Sequence, residues 1–294
     1  MGTSRFTSPQ GQADYYRVYD AGLRTLPTPT GEYDIKTDYG TAKVYRFGEA
    51  DGEPIALLPG RAGTPIMWRD NVPGLMERHP VYAIDPIGEA GRSTQTAAID
   101  SPQDQATWLD QTLDGLGLDR VHLVGVSFGG WLTCNFAVRK PDRLASASVL
   151  DPANTFGRFP AGLIIRSVLS VLPVISRRAR PAFLRWISGG GQVADDDPVA
   201  AVINAGLNHH RVGTAMPAYF SDEQLRSISV PMLTLIAGRS VIHDAVAAQA
   251  RAQRLVPGIQ AELWPDATHS ISAESPVEVN ERVLRFIAAC APTP

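Results

Sequence analysis

The sequence predicts an α/β fold, a mostly parallel central sheet flanked by helices and interrupted by a helical insertion. Three observations carry that prediction. Short apolar runs recur along the 294 residues with helical patterns between them, the signature of parallel strands joined by crossovers. One run passes directly into Gly125-Val126-Ser127-Phe128-Gly129 and from there into a helix-like stretch ending at Arg139-Lys140-Pro141. Between residues 152 and 229 the strand–helix rhythm stops, and it resumes afterwards.

Taken in order, residues 1–33 are a polar N-terminal arm. Within it Tyr15, Tyr16, Val18, Tyr19 and Leu23 are spaced for one amphipathic helix, followed by the turn-rich Pro27-Thr28-Pro29-Thr30-Gly31. The arm reads as laid on the domain, and residues 34–47 alternate around Tyr39-Gly40 as an antiparallel hairpin. The core, residues 34–151 and 230–294, then takes its strands from Ile55-Ala56-Leu57-Leu58, Val81-Tyr82-Ala83-Ile84, residues 121–126, Ala147-Ser148-Val149-Leu150, residues 232–237 and residues 261–264. Ser101-Pro102-Gln103-Asp104 opens one crossover helix with a cap and an N1 proline, and Ser275-Pro276-Val277-Glu278 opens the last helix with a capping-box pattern. In residues 152–229, Ile164, Ile165, Val168, Leu169 and Leu172 mark a helix broken by Pro173. Residues 182–187 suggest another before Gly189-Gly190-Gly191.

Composition narrows the function classes. A net charge of −3 gives no basic footprint for nucleic acid. No apolar run approaches a membrane span, since Leu163-Ile164-Ile165 is ended by Arg166. The N-terminus lacks a signal peptide's apolar core, and Phe6 stands where a myristoylation site wants Ser or Thr. The expectation is a soluble, cytoplasmic protein with a small-molecule substrate and no stable membrane insertion; composition says nothing about oligomeric state. Cys134 and Cys290 are too few for a disulfide framework or a zinc cluster, and the adjacent His209 and His210 point in different directions. Gly88 and Gly91 have the wrong spacing for a dinucleotide fingerprint, so neither metal nor cofactor is expected.

The insertion has its own character. Its eight arginines outnumber five acidic residues, and Arg158, Arg166, Arg177, Arg178, Arg180 and Arg185 occur with no acid among them. That pattern reads first as a solvated face, and second as a surface steering an anionic substrate or touching a membrane. Ile164, Ile165, Leu169, Phe183 and Trp186 are the candidates to line a hydrophobic pocket, while Asp195-Asp196-Asp197 reads as a polar loop.

Chemistry starts at Ser127. A serine wedged between two glycines at a strand-to-helix turn is what a nucleophile elbow needs, because flanking Cβ atoms would clash in so tight a turn. A serine hydroxyl is a poor nucleophile until a base takes its proton, so the chain must supply one of its six histidines.

With this elbow, the lead helix, the Thr37-Asp38-Tyr39-Gly40 hairpin and the loop Asp85-Pro86-Ile87-Gly88-Glu89-Ala90-Gly91-Arg92-Ser93, nearly all of the chain resembles the α/β-hydrolase superfamily. Its N-terminal part is similar to a bacterial esterase-like branch. The resemblance implies a catalytic triad of Ser, His and an acid, an oxyanion hole, and a helical cap formed by residues 152–229. It places the base at His269, in Trp264-Pro265-Asp266-Ala267-Thr268-His269 between the last strand and the last helix, with Thr268 where relatives carry glycine. His79, His122 and His243 fall at strand or helix edges without such a placement.

The acid is harder to place. Relatives carry it after the strand before the last, where an ungapped reading of Leu235 to Asp244 puts Ser240. Two substitutes stay open: Asp151, at the end of the strand after the elbow unit, and Asp244, whose position before Ala245-Val246 also makes it a helix N-cap. Asp151 is preferred, although Asp151-Pro152 also reads as a simple turn. For the oxyanion hole the expected donors are the backbone N–H of Phe128 and that of Arg61, in Pro59-Gly60-Arg61-Ala62-Gly63, where Pro59 replaces the family's histidine. The Asp85–Ser93 loop reads as scaffold at the pocket edge.

The implied activity is that of a carboxylesterase-like serine hydrolase, cleaving a small to mid-sized hydrophobic ester through an acyl-enzyme at Ser127. The alternatives are carbon–carbon bond hydrolysis, lactone opening or perhydrolysis on the same residues. Ser240 and Pro59 also admit a non-catalytic, ligand-binding pseudo-hydrolase.

Overall fold

The computed structural model describes residues 2–171, 182–183, 185–187, 189 and 197–290. Its sheet is built from β1 (Gly31–Thr37), β2 (Gly40–Phe47), β3 (Ile55–Leu58), β4 (Val81–Ile84), β5 (Val121–Val126), β6 (Leu144–Leu150), β7 (Met232–Ala237) and β8 (Gln260–Trp264). In space the order is β8-β7-β6-β5-β3-β4-β2-β1, and the two-residue strand Thr94–Gln95 pairs with β2 off that path. Strands β3 to β8 pair in parallel, while β1 and β2 form an antiparallel hairpin that joins through β4. Every residue of β3, β4, β5, β6 and β7 is buried, which is why these strands read as continuous apolar runs. By contrast β1, at the edge, alternates half-buried and exposed.

The helices are α1 (Pro9–Leu23), α2 (Val72–Met76), α3 (Pro102–Gly115), α4 (Phe128–Arg139), α5 (Ala161–Val171), α6 (Pro198–His209), α7 (Asp222–Arg226), α8 (Ala245–Leu255), α9 (Ile271–Glu274) and α10 (Pro276–Cys290). One core cluster joins Trp108 and Leu113 of α3, Phe136 of α4 and Leu255 of α8 to the sheet; the other joins Tyr15 and Tyr19 of α1, Leu75 of α2 and Phe286 of α10. The sheet is thus covered on both faces. Helix α3 starts as its sequence demands: Ser101 Oγ accepts the Asp104 N–H at 3.1 Å and Asp104 Oδ2 accepts the Ser101 N–H at 2.8 Å.

The N-terminal arm is built into the core and not merely laid on it. Tyr15 and Tyr19 are fully buried, and Tyr19 Oη donates to Asp85 Oδ2 at 2.8 Å. Asp85 also accepts the Arg92 N–H at 2.6 Å. Burial pushes the Asp85 carboxyl up to about 7, partly offset by these two hydrogen bonds. Ahead of α1, Arg5–Phe6 pairs antiparallel with His210–Arg211 at the end of α6. The Phe6 ring packs on Tyr15 and His210, so the arm also fastens the inserted segment.

Within that segment, α6 escaped the sequence reading although its signal was present. Asp197 is no idle loop residue: its Oδ1 caps the Ala200 N–H at 2.8 Å with Pro198 in the first turn, and its Oδ2 pairs with Arg69 at 3.0 Å. A second correction concerns the pocket candidates. Ile164, Ile165 and Leu169 face solvent (53, 59 and 38% exposed), while Leu163 turns inward with Ala153, Ile242, Phe183 and Trp186. Helix α5 has an apolar stripe through Ile164, Ile165 and Leu169, but it is that stripe which faces solvent, and periodicity alone does not say whether an apolar stripe is covered. Leu172, Pro173, Arg177, Arg178, Arg180, Gly190, Gly191, Asp195 and Asp196 lie outside the described residues. Among the described residues, no helix is long and apolar enough to cross a membrane.

Candidate active site

Ser127 occupies the turn between β5 and α4 with φ 53° and ψ −113°, a backbone that non-glycine residues rarely adopt. The glycine bracket is a steric requirement. A Cβ at Gly125 would lie 2.2 Å from Gly129 O, and one at Gly129 would lie 2.1 Å from Leu58 O. The strained turn is held by neighbours: Ser127 N–H donates to Leu150 O at 3.0 Å, and Ser127 O accepts the Ala153 N–H at 2.9 Å.

Ser127 Oγ lies 2.9 Å from His269 Nε2, and His269 Nδ1 lies 2.6 Å from Asp151 Oδ2. The carboxylate selects the tautomer with hydrogen on Nδ1, leaving Nε2 free to take the serine's proton. His269 arrives on the loop between β8 and α9. There Thr268, standing in place of glycine, donates its N–H to Glu274 Oε2 at 2.9 Å and its hydroxyl to Oε1 at 2.5 Å. A glycine would supply only the first of these bonds.

Asp151 leaves β6 with φ 41° and is fully buried. Its Oδ2 accepts the Ser240 hydroxyl at 2.7 Å as well as His269, and its Oδ1 accepts the Ala237 N–H at 3.1 Å. On the Oδ1 side His243 Nε2 lies at 3.0 Å, its ring turned off the linear hydrogen-bond axis. Burial alone would raise this carboxyl, but the imidazoles of His243 and His269 outweigh it and hold Asp151 well below the usual carboxylate range. Asp151 is therefore ionised at neutral pH. Asp244, the other candidate, caps α8 through an Ala247 N–H to Oδ1 bond of 3.0 Å. Ser240, where the resemblance led an acid to be expected, donates its hydroxyl to Asp151 instead.

His243 is the residue that sequence reasoning set aside. It is three positions beyond Ser240 in the same loop, and the fold turns it against Asp151. Its lone sequence signal was that proximity.

The loop after β3 accounts for its backbone donors one by one. Gly60 N–H points to Met67 Sδ at 3.4 Å, Ala62 N–H to Glu89 Oε2 at 3.0 Å, and Gly63 N–H to Gly60 O at 2.9 Å. Among the described residues the N–H groups of Arg61 and of Phe128, in the first turn of α4, have no acceptor. Gly60 backs onto the serine, since a Cβ there would come within 3.3 Å of Ser127 Cβ. The Arg61 guanidinium is pinned by buried Glu89 at 3.1 Å and by Ala215 O at 3.1 Å, and it stacks 4.2 Å from the Phe128 ring centroid. The Asp85–Ser93 loop, through Glu89, thus braces the Pro59–Gly63 loop.

A second serine–histidine–carboxylate chain shows what geometry alone does not supply. At the opposite end of the sheet His122 Nδ1 lies 2.8 Å from Ser146 Oγ, and its Nε2 lies 3.1 Å from Glu53 Oε2. Ser146 is mid-strand and 1% exposed, so no substrate reaches it. Among the described residues no group of three His, Cys, Asp or Glu side chains is arranged to hold a metal ion.

The alpha/beta hydrolase family model matches residues 55–282. The sequence is 34% identical over 281 residues to the uncharacterized carboxylesterase nap of Bacillus subtilis (strain 168), covering 94% of this chain and 92% of that protein. It is 30% identical over 291 residues to carboxylesterase YbfK of the same organism, covering 96% of each. The crystal structure of naproxen esterase (carboxylesterase NP) from Bacillus subtilis superposes with a TM-score of 0.88 at 32% identity, over 95% of this chain and 99% of that one.

Proposed function

This chain belongs to the alpha/beta hydrolase family, and we propose that it cleaves carboxylic esters through an acyl-enzyme on Ser127. The reading rests on the chain of bonds from Ser127 through His269 to Asp151, with the backbone N–H groups of Arg61 and Phe128 lacking an acceptor among the described residues. In it Ser127 Oγ attacks the ester carbonyl as His269 Nε2 takes its proton, and ionised Asp151 stabilises the imidazolium. The N–H groups of Arg61 and Phe128 receive the developing oxyanion, each contributing roughly 3 kcal/mol in the transition state. His269 then protonates the departing alcohol, activates water against the acyl-enzyme, and releases the carboxylic acid with Ser127 restored.

In this reading residues 152–229 form the cap over the site. Its inward apolar group, with Leu163, Phe183 and Trp186 beside Ala153 and Ile242, favours a small to mid-sized hydrophobic substrate. The test is covalent. An organophosphonate should label Ser127, an activated ester should give a burst of alcohol, and Ser127→Ala should abolish both while remaining folded. An unlabelled Ser127 in active protein would refute the acyl-enzyme.

A further inference from the structure

We propose that His243 is a positioning residue for the proposed ester cleavage, its Nε2–H holding the Asp151 carboxylate from the edge opposite His269. The inference rests on the reading of Asp151 as the acid. It starts from an oddity of the fold: the acid hangs from β6, while the loop after β7, where relatives carry it, supplies partners instead. Ser240 bonds Oδ2 at 2.7 Å and His243 stands 3.0 Å from Oδ1. Together with the Ala237 N–H and His269, they surround a fully buried carboxylate on both oxygens. Such an anion survives burial only when donors replace its lost water.

The tautomer follows from burial. The His243 side chain is 1% exposed; among the described residues neither ring nitrogen makes a well-aligned hydrogen bond, but Nε2 stands 3.0 Å from Asp151 Oδ1 and Nδ1 has no such neighbour. A hydrogen on Nδ1 would be an orphaned buried donor, which folded proteins avoid more strictly than an unused acceptor. Hydrogen on Nε2 instead lies on the Asp151 side of the ring, off the linear axis but with its nitrogen 3.0 Å from Oδ1. The segment after β6 closes over the ring, since a Cβ at Gly157 would fall 2.5 Å from His243 Cβ. Three charged groups of neighbouring segments are committed elsewhere. Arg251 of α8 bonds Thr155 O, Phe220 O and Asp222; Asp244 caps α8; Arg158 stacks on Tyr219. Among the described residues, the charged group beside the imidazole is therefore Asp151. The ring's effect is to fix the carboxylate plane so that Oδ2 meets His269 Nδ1, without touching substrate.

Two variants and one spectrum test this on the full chain with an activated ester. His243→Leu fills the space but donates nothing: kcat should fall about tenfold with KM within about twofold, and the acid limb of kcat/KM should move up by about half a pH unit. His243→Gln carries an amide N–H to the Nε2 position and should recover kcat to within about threefold of wild type. Histidine ¹⁵N NMR of the unaltered protein should show His243 protonated at Nε2 and bare at Nδ1, its signal assigned by its loss in His243→Gln. A Leu variant with wild-type kcat and pH profile overturns the proposal, as does an Nδ1–H tautomer; if Leu fails to fold, the Gln variant and the spectrum decide. Failure of phosphonate to label Ser127 would instead remove the ester-cleaving reading, while the tautomer would still report on the Asp151 contact.

Discussion

Replacing Asp151 by asparagine separates the two candidate acids. The carboxylate has donors at both oxygens, with Ala237 N–H and His243 on one side and His269 and Ser240 on the other. An asparagine must turn its amide NH₂ towards one side. Facing Ala237 it would set donor against a buried backbone donor, at a cost of roughly 1–3 kcal/mol. Facing His269 it donates to Nδ1, drives the ring hydrogen to Nε2, and leaves nothing to accept the Ser127 proton. Both the tautomer and the negative charge that stabilises the imidazolium are lost, so kcat should drop by about 10⁴, or about 5 kcal/mol of barrier. Asp244→Asn keeps a good N-cap residue on α8 and should leave kcat within about twofold. Burst and steady-state kinetics on an activated ester, with melting curves to establish folding, read the difference. Asp151→Asn within tenfold of wild type, or Asp244→Asn as the more damaging change, refutes the assignment.

Two further outcomes follow from the same structure. Arg61→Pro removes the free backbone N–H and should cost about 10²–10³ in kcat, whereas Arg61→Ala keeps that N–H and should lose much less; equal losses would assign the effect to the side chain's grip on Glu89. Asp85 carries a pH signature in stability: its folded carboxyl is raised to about 7 from a usual value near 4, so its contribution is fully present below pH 4 and fades as pH rises through 7. The full swing is roughly 4 kcal/mol, so the melting temperature of wild type relative to Asp85→Asn should fall between pH 4 and 8, and parallel curves would contradict it.

The legible parts of this site were those fixed locally or by element order. Gly125 and Gly129 announce a turn whose sterics need only neighbouring residues, and the fold bears out the predicted clashes. His269 was singled out because the resemblance puts the base between the last strand and the last helix, and the structure brings it to Ser127. The buried strands were legible because their apolar runs are continuous. The facing of α5 was not, because its apolar stripe of Ile164, Ile165 and Leu169 is turned to solvent, and periodicity finds a stripe without saying what covers it. Helix α6 had its cap and proline in plain sight at Asp197-Pro198, and was missed because three consecutive aspartates look like solvent-exposed loop. His243 was invisible for a different reason, since its partner lies 92 positions away in sequence on another strand.

That distance explains why the acid resisted a reading from sequence. Strands β6 and β7 are parallel neighbours in register, Leu150 opposite Leu235, and the Asp151 N–H continues the ladder to Leu235 O at 2.8 Å. Two chain positions far apart in sequence therefore end at one place. Ser240 Oγ and Asp151 Oδ2 are a hydrogen bond apart, so a carboxylate borne by either strand end can address the same imidazole nitrogen. Exchanging the acid between them leaves the backbone frame intact; what changes is the set of donors needed around the carboxylate. An acid on β6 is fully enclosed, and the vacated loop must turn inward with Ser240 and His243 to keep it ionised. On the proposed reading of Asp151 as the acid, Ser240 and the histidine three residues beyond it are thus two parts of one arrangement around that carboxylate.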